Sequence, residues 1–254
     1  MARNAYTERT YRSDAVPDGL TSFRVVVDET DLWIAAESDL TDRALESVRL
    51  HRSVIERYIA DHHEFATTLK TWEKPVPPHS IVAQMVNAGN AVGIGPMAAV
   101  AGSIAEAVAR DLIGHTTRIM VENGGDLYLL GGTTSSVGIW AGPSPLSGKI
   151  ALSVDPSQGI AVCTSSSTVG PSLSLGMADA ATAISPSGAL ADAAATELGN
   201  RVRRFQDMEK ALDWALSVPG VTGAVVVMGE TIGAKGQVEL VPIGSPGSSV
   251  QSPE

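Results

Sequence analysis

The chain has 254 residues, 44% of them hydrophobic and 18% charged, which supplies a conventional core and excludes disorder over most of the length. Lys and Arg number 18 against 28 Asp and Glu, a formal net charge of −10. A surface so acidic repels phosphate backbones and anionic lipid headgroups, which argues against nucleic-acid and membrane-surface roles.

One cysteine, Cys163, excludes an internal disulfide framework and fits a reducing compartment. The first residues hold no apolar signal region, and no long apolar run follows them. A soluble cytoplasmic protein is the expectation. Residues 1–18 and the Gly/Ser/Pro-rich stretch 244–254 read as flexible ends around a single domain over 19–243.

Within that domain Phe23–Asp28 and Leu32–Ala36 read as a β-hairpin across the polar turn Glu29-Thr30-Asp31. Asp39 with Asp42 offers a variant capping box for a long helix, whose apolar positions Leu45, Val48, Ile55, Tyr58 and Ile59 keep helical spacing. Pro75, Pro77 and Pro78 forbid a helix interior and mark a subdomain boundary near 74–79. The small-residue run from Pro96 to Val108 predicts a buried helix with proline in its first turn and a stop at Gly114. Short strands follow at Arg118–Val121, Leu127–Leu130, Gly138–Ala141, Ile150–Val154 and Ile160–Cys163. Helices are predicted at Ala189–Leu198 and Met208–Leu216, and strands at Ala224–Met228 and Gln237–Val241. The class is α+β, with mixed, mostly antiparallel sheets and packed helices in two intertwined layers or subdomains.

Four stretches carry chemistry-bearing residues. Asn123-Gly124-Gly125-Asp126 follows a strand; its glycines admit positive φ and close approach of a ligand to the backbone, although the same residues make an ordinary hairpin turn. The hydroxyl run Thr164-Ser165-Ser166-Ser167-Thr168 can cradle phosphate, or simply be solvated; no Gly-x-Ser-x-Gly surrounds it. Asp192 and Thr196, four apart on a helix, share a face and can hold a hard cation such as Mg²⁺ through oxygen. The related pair Asp179 and Thr182 sits in strand-like surroundings. Gly93-Ile94-Gly95-Pro96-Met97-Ala98 formally matches a dinucleotide fingerprint but lacks the strand that must precede it.

The order of these motifs resembles the ApbE superfamily of Mg²⁺-dependent FAD:protein FMN transferases. That family has a Lys-Gly-x-x-x-Asp helix, a Gly-Gly-Asp turn, a Thr-Ser-Gly strand end and an Ala-Asp-Ala-x-Ala-Thr helix in this order. More closely, Gly95–Gly102, Val121–Asp126 and Cys163–Ser166 look like the UPF0280 family, over roughly residues 10–243. The resemblance implies a metal site of Asp192, Thr196 and the Ala101 carbonyl. It implies a cofactor site, for FAD or FMN, lined by Gly102, Glu106, Asn123, Gly124, Gly125, Asp126, Thr164, Ser165 and Ser166. The chain also departs from the patterns. Ala101 replaces the ApbE lysine and Glu106 its helix aspartate; the His-x-x-Asp-Pro-x-Thr-Gly loop has no counterpart; Ser167 and Pro171 stand where UPF0280 has Gly and His.

Three functions remain open at this point. One is an Mg²⁺-assisted enzyme acting on an anionic or nucleotide ligand, related to ApbE transferases. Another, implied by the UPF0280 resemblance, is a non-catalytic accessory protein with a protein partner in sulfur assimilation towards homocysteine in an anaerobic prokaryote. The third is a structural homodimer packed through its glycine-rich helix.

Overall fold

A computed structural model describes residues 18–166 and 176–243; both chain ends, Ser167, Thr168 and Pro171 lie outside the described residues. Two antiparallel sheets and one layer of helices make up the fold. The main sheet has eight strands: β1 (Thr21–Val27), β2 (Thr30–Ala36), β3 (Arg118–Asn123), β4 (Asp126–Gly131), β7 (Ile160–Ser165), β8 (Ala180–Ser185), β9 (Gly223–Met228) and β10 (Thr231–Gly236), hydrogen-bonded in that order. A smaller sheet orders β11 (Glu239–Pro242), β6 (Ile150–Val154) and β5 (Ser135–Gly138).

Side chains alternate across each strand, so the main sheet feeds two cores. Phe23, Val25, Ile34, Val121, Tyr128 and Cys163 point to the helices. Trp33, Ala35, Met120, Leu129 and Val162 point to the small sheet, where Leu152 and Val154 meet them. Both faces being covered, β2 is buried along its whole length.

The helical layer holds α1 (Thr41–Asp61), α2 (Ile81–Val92), α3 (Val100–Leu112), α4 (Gly188–Arg201) and α5 (Met208–Ser217). Asp39 serves α1 from outside the helix: its carboxylate accepts the Thr41 N–H at 2.9 Å and hydroxyl at 2.6 Å. The N-cap is Leu40 without a side-chain bond, so the capping box expected of Asp39 and Asp42 does not form. The sequence reading missed α2, because Asn87, Gly89 and Asn90 interrupt its apolar face. Its signals lie at the ends: Ser80 caps it through the Ala83 N–H, and Gly93, at φ 83°, closes it in the left-handed region. The first glycine of the apparent dinucleotide fingerprint is therefore a helix stop, preceded by a helix and not by a strand. Pro96–Ala99 forms a 3₁₀ turn, and α3 proper begins at Val100.

Strand positions differ at two places. Of the strand expected at 138–141 only Gly138 belongs to β5, which begins at Ser135; the Ile139 N–H adds one more in-register bond, to the Ile150 carbonyl. A separate strand, β10, precedes β11; Gly233 and Gly236 hide it in the sequence. No single helix among the described residues is long and apolar enough to cross a membrane; α2 and the segment Pro96–His115 qualify only together, bent by 108°.

Helices α3 and α4 cross where Gly102 faces Gly188. A Cβ on either glycine would collide with the carbonyl oxygen of the other, so alanine at Gly102 must push the helices apart. Overpacking of this kind costs about 1–3 kcal/mol. Gly102→Ala should lower the urea midpoint by a corresponding amount with an unchanged slope; an unaltered midpoint would show that the crossing tolerates a methyl group.

Candidate functional site

The predicted motifs gather at one end of the main sheet. Asn123 and Asp126 form the last pair of the β3–β4 ladder, and the chain reverses between them with Gly124 at φ 74° and Gly125 at φ 122°. Side chains rarely adopt these values, so the turn requires its glycines. Only the Thr164 carbonyl oxygen, at 3.5 Å, comes near a Cβ built on Gly125. Asp126 lies opposite Cys163 on β7, and strand alternation puts Asn123, Asp126, Cys163 and Ser165 on the helix-facing side.

The helices bring their own polar atoms to this face. Asp192 on α4 is 8% exposed, and its carboxylate accepts the Gly102 N–H at 2.9 Å. Gly102 is in the first turn of α3, where N–H groups have no partner within the helix. Asn123 donates its amide to the Ala101 carbonyl at 3.1 Å. Burial and then the charge of nearby Asp126 push the Asp192 carboxyl well above the usual carboxylate range, while the Gly102 and Ala101 N–H groups oppose that shift. The Cys163 thiol is pushed up as well, first by burial and then by the charges of Asp126 and Asp192. Two acids on separate elements thus share one water-poor place. Beside them in the sheet, the buried Ser165 hydroxyl has no hydrogen-bond partner among the described residues. Thr196, one helical turn beyond Asp192, is half-buried.

Glu106 is committed elsewhere. One carboxylate oxygen accepts the Gly188 N–H at 2.7 Å and the other pairs with Arg110 at 2.8 Å. Arg110 donates on to the Tyr128 hydroxyl at 2.7 Å. Thr164 and Ser166 occupy the opposite face of the sheet, where the Thr164 hydroxyl pairs with Thr182 at 2.9 Å and the Ser166 hydroxyl donates to the Asp179 carbonyl at 2.7 Å. There they line a groove of about 190 Å³ between the two sheets, which the Gly124–Gly125 turn connects to the acid pair. Trp33, Met120, Leu127 and Val162 form one wall and Val137, Gly138 and Trp140 the other, with Glu122 the only charged residue in the lining among the described residues. Reading the sequence missed this groove. A signal was present, since Glu122 interrupts the apolar run of β3 with a charge on a strand buried on both faces.

Among the described residues no group of three or more His, Cys, Asp or Glu side chains is arranged to hold a metal. The oxygens gathered here are hard ones: the Asp126 and Asp192 carboxylates, the Ala101 carbonyl and the Ser165 hydroxyl. Such a set fits Mg²⁺ in chemistry, and a divalent cation between the two acids would offset their mutual repulsion.

A family model described as AbpE bacteria matches residues 13–240. A UPF0280 protein of Methanosarcina acetivorans is 42% identical over 217 residues, 84% of this chain and 85% of the relative. The chain belongs to the UPF0280 family. Another member, from Methanopyrus kandleri, is 36% identical over 223 residues, 85% of this chain and 90% of its own. Among solved structures, the apo flavinyl transferase ApbE of Pseudomonas stutzeri superposes with a TM-score of 0.55 at 13% identity, covering 85% of this chain and 94% of that one. The ApbE protein of Thermotoga maritima gives 0.56 at 12% identity, covering 84% and 96%. At such identities the likeness is one of fold, and the UPF0280 chain has the ApbE-like α+β architecture that its motifs implied.

Burial and the neighbouring Glu106 charge push the Tyr128 hydroxyl up to about 12, against an opposing pull from Arg110. Its ionisation is thus disfavoured in the folded chain. The resulting stabilisation is complete below the ordinary phenol value of 10.0 and is lost as pH rises from there towards 12. Absorbance titration at alkaline pH should resolve one late tyrosine, absent from Tyr128→Phe; an unchanged curve in the variant would place the late group elsewhere.

Proposed function

We propose that this UPF0280 chain binds a pyrophosphate-bearing nucleotide through a divalent cation at the end of the main sheet and activates it for group transfer. The observation that carries this reading is the buried Asp192 carboxyl set near the half-buried Asp126, beside a Ser165 hydroxyl that has no hydrogen-bond partner among the described residues. Two carboxylates placed this close, one of them buried, are stabilised either by sharing a proton or by a cation between them. Among the described residues no Lys or Arg lines the groove, and Ala101 stands where the ApbE pattern has lysine. An anionic ligand here therefore needs positive charge from a bound ion.

Asp192, Asp126, the Ala101 carbonyl and Thr196 would hold Mg²⁺, with Asn123 fixing the orientation of that carbonyl. When bound, the ion supplies a Lewis acid that draws charge from a phosphoryl oxygen and from the departing group. The Gly124–Gly125 turn lets phosphate lie against backbone, and the Ser165 hydroxyl donates to a phosphate oxygen. The groove on the other face, walled by Trp33 and Trp140, takes the ring of the nucleotide. FAD and FMN are tested first, because the solved structures of similar fold include flavinyl transferases.

Isothermal titration should show ADP, FAD or FMN binding only when Mg²⁺ is present. Binding by none of them, or unchanged binding after Asp192→Ala, would overturn the reading. A second measurement uses stability alone. Asp192→Asn keeps an acceptor for the Gly102 N–H and removes one of two facing charges, so without cation its melting temperature should equal or exceed that of the wild type. Millimolar Mg²⁺ should then raise the melting temperature of the wild type and leave the variant unmoved.

A second reading, a scaffold that serves a partner protein without turnover, is favoured by Ala101, which leaves the start of α3 without the cationic side chain of the ApbE motif. Purification from a native host should then recover a stoichiometric partner, whereas flavin turnover by the isolated chain would exclude it.

A further inference from the structure

The crossing of α3 and α4 is built twice on one pattern. On α3 the chain places Gly102, Glu106 and Arg110 at four-residue steps, and on α4 it places Gly188, Asp192 and Thr196. Such steps stack side chains on one face of a helix. Each glycine N–H is accepted by the acid of the other helix, Gly102 by Asp192 at 2.9 Å and Gly188 by Glu106 at 2.7 Å. The two halves match in glycine and acid and part at the third position.

There the difference is one of charge. Glu106 has a cation from its own helix, the Arg110 Nε lying 2.8 Å from its second carboxylate oxygen. Arg110 is fixed in turn, because it donates to the Tyr128 hydroxyl at 2.7 Å and lies over the Tyr128 ring, 5.4 Å from its centre. Asp192 has no such neighbour among the described residues, and the charge that bears on it is that of another acid, Asp126. One turn beyond it, the half-buried Thr196 offers a hydroxyl where α3 offers a guanidinium. Helix α4 does carry the acid–arginine spacing one position round, where Glu197 pairs with Arg201 at 2.9 Å. An acid followed four residues later by a base is a favourable helix pair, and a buried carboxylate without a counter-charge is costly.

We infer that residue 196 decides whether this crossing needs a metal: Arg110 neutralises the Glu106 half from within the chain, and Thr196 leaves the Asp192 half to a divalent cation from solution. The inference rests on the proposed cation reading and adds the residue that sets the dependence. A threonine suits that role twice, since it brings no charge and does bring an oxygen of the kind Mg²⁺ takes. An arginine in its place would do for Asp192 what Arg110 does for Glu106. The chain would then close the site with its own charge and exclude the ion.

Melting of the full chain in EDTA and in millimolar Mg²⁺ tests this with two variants at one position. Thr196→Arg supplies the cation, and Thr196→Met supplies an unbranched side chain without charge. In EDTA, Thr196→Arg should melt above Thr196→Met. Mg²⁺ should raise the melting temperature of the wild type, and that shift should be lost in Thr196→Arg. A Thr196→Arg that melts no higher than Thr196→Met, or fails to fold where Thr196→Met folds, overturns the inference. If wild type and Thr196→Arg respond to Mg²⁺ alike, the inference alone fails. A wild type indifferent to Mg²⁺ defeats the cation reading itself, and the role of Thr196 with it. The α3 half is read separately and needs no change at 196. Arg110→Met should lower the melting temperature, and adding Glu106→Gln, which removes the stranded charge, should recover part of the loss. An unchanged melting temperature in Arg110→Met, or no recovery in the double variant, overturns Arg110 as the internal counter-ion and the comparison built on it.

Discussion

The site depends on an exchange of carboxylates between two crossing helices. Asp192 of α4 satisfies the Gly102 N–H in the first turn of α3, and Glu106 of α3 satisfies the Gly188 N–H in the first turn of α4. Each acid answers orphan donors, and each is drawn towards the positive end of the other helix. The exchange works only because the backbones touch at Gly102 and Gly188, which brings each helix start within reach of a side chain on its neighbour. Binding geometry and helix packing are consequently one arrangement.

That arrangement explains how Ala101, Asn123, Asp126 and Asp192 come together from three separate parts of the chain. The helix crossing fixes Ala101 and Asp192 relative to each other. The tight β3–β4 turn fixes Asn123 and Asp126, and the Asn123 bond to the Ala101 carbonyl ties the turn to the crossing. Arg110 extends the same bracing to Tyr128 in the middle of β4. A buried acid with a second acid nearby is expensive, and here Asp192 is held in place by a hydrogen bond that also satisfies the start of α3.

The sequence revealed much of this. The β1–β2 hairpin, β6, α4 and α5 were legible because their apolar periods and turn residues agree with the fold that forms. Helix α2 was not, since polar and glycine positions interrupt its stripe and only its caps announce it. The motif order pointed to Asp192, Asn123 and the double-glycine turn. It could not say that Glu106 is spent on capping, because that follows from a crossing of α3 with a helix some eighty residues away. Nor could it separate Thr164 and Ser166 from Ser165. Neighbours in a strand look to opposite sides, so a hydroxyl run that reads as one cradle is divided by the plane of the sheet.

This division gives the two halves of the site different freedom to change. Residues on the helix side are interlocked, and almost any replacement there disturbs packing as well as chemistry. The walls between the sheets are built from strand positions and a tryptophan lying on glycine, none of which the helix crossing requires. Replacements at Val137 or Trp140 therefore reshape the space between the sheets and leave the contact of Gly102 with Gly188 as it is, so this part of the scaffold can diverge while the crossing of the helices is kept.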